Sequence, residues 1–147
     1  MLGGLVALAL RGERRGALLA EPTLLAEYWR RKPLSPRVAE IAAGSFRHKD
    51  PPEIRGTGYV VESLEAALWA LYHAKSFREG ALLAVNLGDD ADTTGAVYGQ
   101  IAGAFFGLKG IPRGWSGQIA LAELILGYAD RLFEYANRAP PSSTRTA

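Results

Sequence analysis

The 147-residue sequence contains no cysteine and carries a formal net charge of only +2. The lack of cysteine excludes disulfides, thiolate metal sites and cysteine nucleophiles, and it fits a cytoplasmic protein, which we expect here. So small a charge gives no argument for binding nucleic acid. The apolar run at residues 2–10 is too short to cross a membrane, and basic residues follow it instead of preceding it. We expect neither nucleic acid nor a membrane as a partner.

Helical patterns dominate the chain, and no segment has the pattern of a strand or of a repeat. We predict helices at 2–11 and 16–20, 23–32, 35–44, from about Val61 through Leu71, after a capping box at Ser76–Glu79, and at 117–136. Residues 45–58 are predicted to form a loop and 110–114 a turn. The sequence therefore predicts one all-α domain over 1–138, a compact multi-helix orthogonal bundle, followed by a disordered tail over 139–147.

The strongest chemical signal lies at residues 88–95, Gly-Asp-Asp-Ala-Asp-Thr-Thr-Gly. Asp89, Asp90 and Asp92 repel one another when ionised, and a bound cation removes that cost. Carboxylate and hydroxyl oxygens suit a hard ion such as Mg²⁺, Mn²⁺ or Ca²⁺ far better than zinc. Residues 81–87 before this segment are apolar, so we expect the acidic loop to leave a buried segment.

The segment after the acidic loop carries glycines at 95, 99, 103 and 107. On a helix, a spacing of four places them in one narrow stripe. Each glycine costs up to ~1 kcal/mol of helix propensity, so we expect close packing by another helix to compensate. The N-terminus of this helix would point at the carboxylates and favour negative charge there.

Three interpretations of the acidic segment compete. A helix N-cap formed by Asp92, Thr93 or Thr94 would need only one such residue. An EF-hand calcium loop would fit Asp90, Asp92, Thr94 and Gly95, but Ile101 stands where the bidentate Glu is required. A site for one or two Mg²⁺ or Mn²⁺ ions uses the whole set, and we favour it. Gly56-Thr-Gly58 fails as a dinucleotide fingerprint because position 61 is Val and no strand precedes it.

Two segments together resemble a known family. Residues 86–104, Asn-Leu-Gly-Asp-Asp-Ala-Asp-Thr-Thr-Gly-Ala-Val-Tyr-Gly-Gln-Ile-Ala-Gly-Ala, are similar to the C-terminal metal motif of the ADP-ribosylglycohydrolases. Residues 56–70, Gly-Thr-Gly-Tyr-Val-Val-Glu-Ser-Leu-Glu-Ala-Ala-Leu-Trp-Ala, also resemble that family. The resemblance implies the C-terminal half of an all-helical fold, a binuclear Mg²⁺ or Mn²⁺ site, and hydrolysis of the bond between ADP-ribose and a modified protein side chain.

The resemblance also implies residue roles. The metal ligands would be Asp90, Asp92 and Thr93, with the carboxylates of Asp90 and Asp92 as the catalytic groups. Asp89 stands where many relatives have Gly, so we leave it outside the ligand set. A loop near the ribose would contain Gly56, Gly58 and Tyr59.

One part of the family pattern is missing from this sequence. Family members are longer, and their N-terminal half supplies a Thr-Asp-Asp ligand motif and an acidic residue near the substrate, neither of which occurs here. We therefore expect a chain truncated relative to the family. Two hypotheses follow. The first is a metal-dependent ADP-ribosyl hydrolase, and the second is a non-catalytic remnant or half-subunit that keeps the fold. The second would need self-association or a partner chain with the N-terminal half to complete the metal site.

Overall fold

The computed structural model describes residues 1–20 and 23–138, and within these ranges the ordered backbone is helical with no strand. The described part of the chain contains nine α-helices: α1 (Leu2–Leu10), α2 (Arg15–Leu19), α3 (Thr23–Arg31), α4 (Pro36–Ala42), α5 (Val60–His73), α6 (Phe77–Val85), α7 (Ala91–Phe106), α8 (Arg113–Ser116) and α9 (Ala122–Arg138). Short 3₁₀ helices lie at Ser45–Arg47 and Leu108–Gly110. The predicted all-α fold is confirmed.

The chain groups into two compact units, residues 1–112 and 113–147. The second contains α8 and α9, and the first contains all the residues assigned to the site. The single domain over 1–138 stays a prediction, and the predicted tail at 139–147 lies outside the described residues. No helix in the described ranges has both the length and the apolar character needed to cross a bilayer.

Helix α5 forms the centre of the first unit. Its sequence alternates leucine with small residues, and Ala66, Ala67 and Ala70 have no exposed surface. Small side chains let neighbouring helices approach, and α5 packs against α6 and α7, while α1 also packs against α7. The buried hydroxyl of Ser63 donates to Thr57 O at 2.6 Å, so this polar group in the core is satisfied.

The capping box predicted at the start of α6 forms with one change. Ser76 Oγ accepts from the Glu79 N–H at 3.2 Å, as predicted. The Glu79 carboxylate accepts from the N–H of Lys75 at 2.7 Å, one residue before the position that the motif normally uses. Two free backbone donors are still satisfied. Of the segment 81–87 that follows, only Ala84 is fully buried.

The glycine stripe on α7 differs from the prediction. Gly95 lies close to Val85, whose Cγ1 is 3.0 Å from the position of an added Cβ, but Gly99 and Gly103 have nothing within 4 Å. Gly107 lies outside the stripe because it ends the helix with a φ of 68°. The prediction of close helix packing along the whole stripe was therefore wrong for its middle part. The tightest glycine contact occurs on α6, at Gly80, where the Tyr98 ring packs.

Two boundaries near the C-terminus also differ from the sequence prediction. The predicted turn at 110–114 is partly helical, because α8 begins at Arg113. The long helix predicted from 117 begins only at Ala122 and continues to Arg138. Leu121 has a φ of 57°, a left-handed conformation that a helix interior does not allow.

Candidate metal centre at the start of helix α7

A left-handed turn delivers Asp90 to the start of α7. Gly88 and Asp89 follow the end of α6 with φ values of 79° and 51°. Glycine adopts this conformation freely, and aspartate is among the residues that tolerate it best. The turn makes Asp90 the N-cap of α7, with its carboxylate Oδ1 accepting from the Thr93 N–H at 3.2 Å.

The segment 56–58 lies directly against this turn. The Asp90 N–H donates to Gly56 O at 2.7 Å. A Cβ added at Gly58 would lie 2.5 Å from Asp90 Oδ2, and one added at Gly56 would lie 2.9 Å from Gly88 O. A side chain at position 56 would collide with fixed backbone, whereas one at position 58 would collide with the end of the Asp90 side chain and displace it. The structure thus brings Gly56 and Gly58 into contact with Asp90, although more than thirty positions separate them in the printed sequence.

Thr93 favours the ionised form of the Asp90 carboxylate. Its hydroxyl contributes most, and with its N–H it holds the pKa of Asp90 below its ordinary value. Asp92 lies in the first turn of α7, where the positive end of the helix dipole favours negative charge. The three residues Asp90, Asp92 and Thr93 therefore form one cluster of oxygen atoms around a negatively charged group.

The backbone conformation tests two of the three interpretations of the acidic segment, the helix N-cap and the EF-hand loop. Asp90 acts as N-cap, not Asp92, Thr93 or Thr94 as the capping hypothesis had it. The backbone is helical from Ala91 onward, which is incompatible with the extended loop of an EF-hand. Capping by Asp90 uses one carboxylate oxygen for the helix and leaves Oδ2 facing Gly58.

Thr94 is fully buried, and its Oγ1 has no hydrogen-bond partner among the described residues. An added Cβ at Gly56 would lie 3.2 Å from this oxygen. Thr94 therefore faces the backbone of segment 56–58, whereas Thr93 interacts with Asp90. The two adjacent threonines have different environments, which the sequence does not distinguish.

Asp89 and Arg55 form an ion pair at the edge of the cluster. Arg55 Nη2 lies 3.7 Å from Asp89 Oδ2, and both side chains are more than half exposed. An exposed pair of this kind contributes little to stability. Asp89 is therefore paired with Arg55, outside the cluster of Asp90, Asp92 and Thr93.

A second polar network continues from Gly58 along the same surface. Thr57 Oγ1 donates to Glu62 Oε2 at 2.6 Å and accepts from the Tyr59 N–H at 3.2 Å. Arg37 lies 3.6 Å from Glu62 and 5.3 Å from the centre of the Tyr59 ring. The Thr57 hydrogen bond, against a smaller opposing effect of burial, holds the pKa of Glu62 below its ordinary value. Tyr59 is thus held in place with 48% of its surface exposed.

Sequence reasoning missed Arg37 and Thr57. Arg37 lies in α4, and no local pattern marks the contact with Tyr59. Glu62 and Glu65 lie on the same helix but have different partners, since Glu65 accepts from Ser45 and Lys49. Among the described residues, no group of three or more His, Cys, Asp or Glu side chains is arranged as a metal site. The donor chemistry of Asp90, Asp92 and Thr93 nevertheless fits Mg²⁺ or Mn²⁺, since every donor is an oxygen and one carboxylate is held ionised.

The chain is similar to known sequences along most of its length. The sequence pattern of the family described as ADP-ribosylglycohydrolase matches residues 1–141. The ADP-ribosylarginine hydrolase Tri1 of Serratia proteamaculans (strain 568) is 46% identical over 104 residues, which are 71% of this chain and 28% of that protein. The ADP-ribosyl-[dinitrogen reductase] glycohydrolase of Rhodospirillum rubrum is 37% identical over 68 residues, covering 46% of this chain and 23% of that protein.

A solved structure gives the same result for the fold. A chain of an ADP-ribosylglycohydrolase-related protein complex superposes with a TM-score of 0.71 and 46% sequence identity, over 83% of this chain and 40% of that one. This chain therefore matches less than half of that structure and spans only about a quarter of the curated relatives, at 28% and 23% of their lengths. Since the family pattern covers almost all of the sequence, this chain belongs to the ADP-ribosylglycohydrolase family.

Proposed function

We propose that this chain supplies Asp90, Asp92 and Thr93 as ligands to the Mg²⁺ or Mn²⁺ site of a hydrolase that removes ADP-ribose from modified protein side chains. One observation carries the proposal: Asp90 Oδ1 accepts from the Thr93 N–H at the start of α7 while its Oδ2 faces the glycine at position 58. The names of the relatives support the reaction class, and that of the Serratia relative supports an arginine as the modified side chain.

A bound divalent ion would polarise water and orient the ribose hydroxyls. The ligand cluster holds negative charge at the helix N-terminus, and the carboxylates of Asp90 and Asp92 are the groups available to accept a proton from water. The missing side chain of Gly58 makes room for Asp90 Oδ2 itself. The exposed ring of Tyr59, with Arg37 against it, lies one residue further on as a surface for the substrate.

A second candidate is a half-subunit that completes its site with another chain. Two carboxylates and one hydroxyl are fewer donors than the roughly six oxygen ligands that Mg²⁺ or Mn²⁺ takes. The remaining ligands would then come from water together with a second copy of this chain, or with a polypeptide equivalent to the rest of the longer relatives. A chain that keeps the fold but never completes the site would be a non-catalytic remnant.

Titration with Mn²⁺ in a calorimeter tests the ligand assignment. We expect Asp90→Asn to weaken Mn²⁺ binding at least tenfold, because a neutral amide replaces a charged ligand. The fold should survive, because Asn caps a helix as well as Asp does. The matched control is Asp89→Asn, which makes the same chemical change one residue away, where Asn also tolerates the left-handed backbone. Equal Mn²⁺ affinity in the wild type and Asp90→Asn would show that the ligand assignment is wrong.

Sedimentation and activity distinguish the complete site from the half-site. Release of ADP-ribose from an ADP-ribosylarginine protein by the chain alone, lost in Asp90→Asn, supports a complete site. A Mn²⁺-dependent dimer in sedimentation supports shared ligands between two copies. A monomer that becomes active only when the remaining part of the Serratia relative is added supports a half-subunit. A monomer that stays inactive both alone and with the added part supports the remnant.

A further inference from the structure

A cleft in the first unit contains none of the residues assigned to the metal site. Its volume is about 470 Å³, within the usual range for a small-molecule site. The lining residues are Arg15, Gly16, Leu19, Ala20, Arg47 and Tyr72. Two guanidinium groups and one aromatic ring are thus brought together from α2, the 3₁₀ helix at 45–47 and α5.

Both arginines are anchored to backbone carbonyls at helix ends. Arg15 donates to Ala74 O just after α5, and Arg47 donates to Leu19 O at the end of α2. Arg47 also lies 5.5 Å from the centre of the buried Phe46 ring. A guanidinium has five N–H donors, so one anchoring bond fixes its position and leaves others for a ligand.

The charge of these arginines has no partner within the described residues. The ion pairs there involve neither Arg15 nor Arg47. A neutral donor would satisfy each carbonyl equally well, so anchoring alone does not account for two cations in one cleft. Like charges placed together repel, and a bound anion removes that cost.

Tyr72 provides a fixed aromatic surface beside the two cations. Its ring makes edge-to-face contacts with Phe46 at 6.0 Å and with His73 at 5.1 Å. With 41% of its surface exposed, the side chain remains accessible. A ring held in this way can stack with a planar base at little entropic cost.

We propose that this cleft binds a phosphate-bearing ligand of the nucleotide class. The phosphate would bind between the guanidiniums of Arg15 and Arg47, whose planar donors suit phosphate oxygens. The base would lie against Tyr72. This site is independent of the metal centre and of the proposed hydrolase activity.

Calorimetry in phosphate-free buffer with EDTA tests the proposal, because chelation removes any binding through a metal. Three probes are titrated: AMP, inorganic phosphate and adenosine. We expect AMP to bind most tightly, phosphate more weakly and adenosine weakest. Arg47→Gln should weaken the binding of both AMP and phosphate about tenfold or more, because it removes a charge-assisted hydrogen bond to the phosphate. The glutamine amide can still donate to Leu19 O.

The matched control is Arg14→Gln, which removes the same charge from an exposed residue next to Arg15 and outside the cleft. Arg15→Gln is the second test variant should Arg47→Gln lose its folded circular dichroism spectrum. Tyr72→Leu should weaken the binding of AMP without changing the affinity for phosphate. If the affinity for AMP is unchanged as well, the ligand is a free phosphate and the nucleotide assignment is overturned. Absence of binding by the wild type, or equal losses in Arg47→Gln and Arg14→Gln, would overturn the phosphate site itself.

Discussion

Replacement of Gly58 by alanine should displace the Asp90 carboxylate without unfolding the protein. The new Cβ would lie 2.5 Å from Asp90 Oδ2, whereas ordinary van der Waals contact begins at 3.4 Å. The carboxylate must therefore move by about 0.9 Å. Gly58 is exposed and has no left-handed φ, so alanine is otherwise acceptable there. The colliding atom is the end of a side chain and can move.

A shift of that size exceeds the tolerance of metal coordination. Ligand distances in metal sites are typically held within about 0.2 Å, and changes that misplace a ligand typically cost about 10–100-fold in metal affinity. We expect Gly58→Ala to bind Mn²⁺ at least tenfold more weakly in calorimetry. We also expect a small change in the free energy of unfolding measured with urea, below about 1 kcal/mol.

An amide spectrum tests the same displacement without metal. The Thr93 N–H donates to Asp90 Oδ1, so its ¹⁵N–¹H signal should shift in Gly58→Ala. The matched control is Gly99→Ala on α7, where an added Cβ meets no atom within 4 Å. Gly99→Ala should retain Mn²⁺ affinity and gain roughly 0.5–1 kcal/mol of stability from helix propensity. A Gly58→Ala protein with an unchanged Thr93 signal and unchanged Mn²⁺ affinity would refute the proposed contact.

Two further predictions concern packing and pH. Gly80→Ala should lower the free energy of unfolding in urea by about 2–4 kcal/mol, because its Cβ would overlap the Tyr98 phenol and break the hydrogen bond to Phe77 O. Gly103→Ala is the control, since the space there is open. A loss of stability no larger than that of Gly103→Ala would contradict this packing. Glu62 has a pKa below its ordinary value of 4.5, so its contribution to stability is present above that value and fades as the pH falls through the lower folded-state pKa. The free energy of unfolding of Glu62→Gln in urea should therefore differ from that of the wild type at pH 7 and become equal to it in acid. A difference between the two proteins that does not change with pH would contradict the lowered pKa.

The tyrosine packed on Gly80 illustrates a feature that local sequence does not specify. Tyr98 is 1% exposed, and burial, with a smaller effect of the charge on Glu79, raises its pKa to about 12. Its hydroxyl donates to Phe77 O at 3.1 Å. The sequence marks glycines on α7 as the close-packing positions, but the required glycine lies on the neighbouring helix. Which glycine is needed depends on which helices meet, and that is set by long-range packing.

The prediction of a cation at the acidic segment depends on a local signal and needs no knowledge of the fold. Three carboxylates within four positions repel one another wherever the chain folds, so Asp90 and Asp92 indicate a cation without knowledge of the rest. The capping residue was harder to predict. Asp90, Asp92, Thr93 and Thr94 are all residue types that cap helices, and the choice among them depends on the left-handed turn that precedes the helix.

The sequence by itself determined that the protein is helical and that it resembles its family, because these properties depend on periodicity and motif order. It also supplied the proposal that residues 88–95 carry oxygen ligands, because that proposal depends on residue chemistry alone. Only the tertiary structure placed Gly58 against Asp90 and Arg37 against the Tyr59 ring. It also placed Arg15 and Arg47 in one cleft. Contacts between residues far apart in the chain depend on how the helices pack, and helix packing is a collective result of the whole core that no single segment encodes.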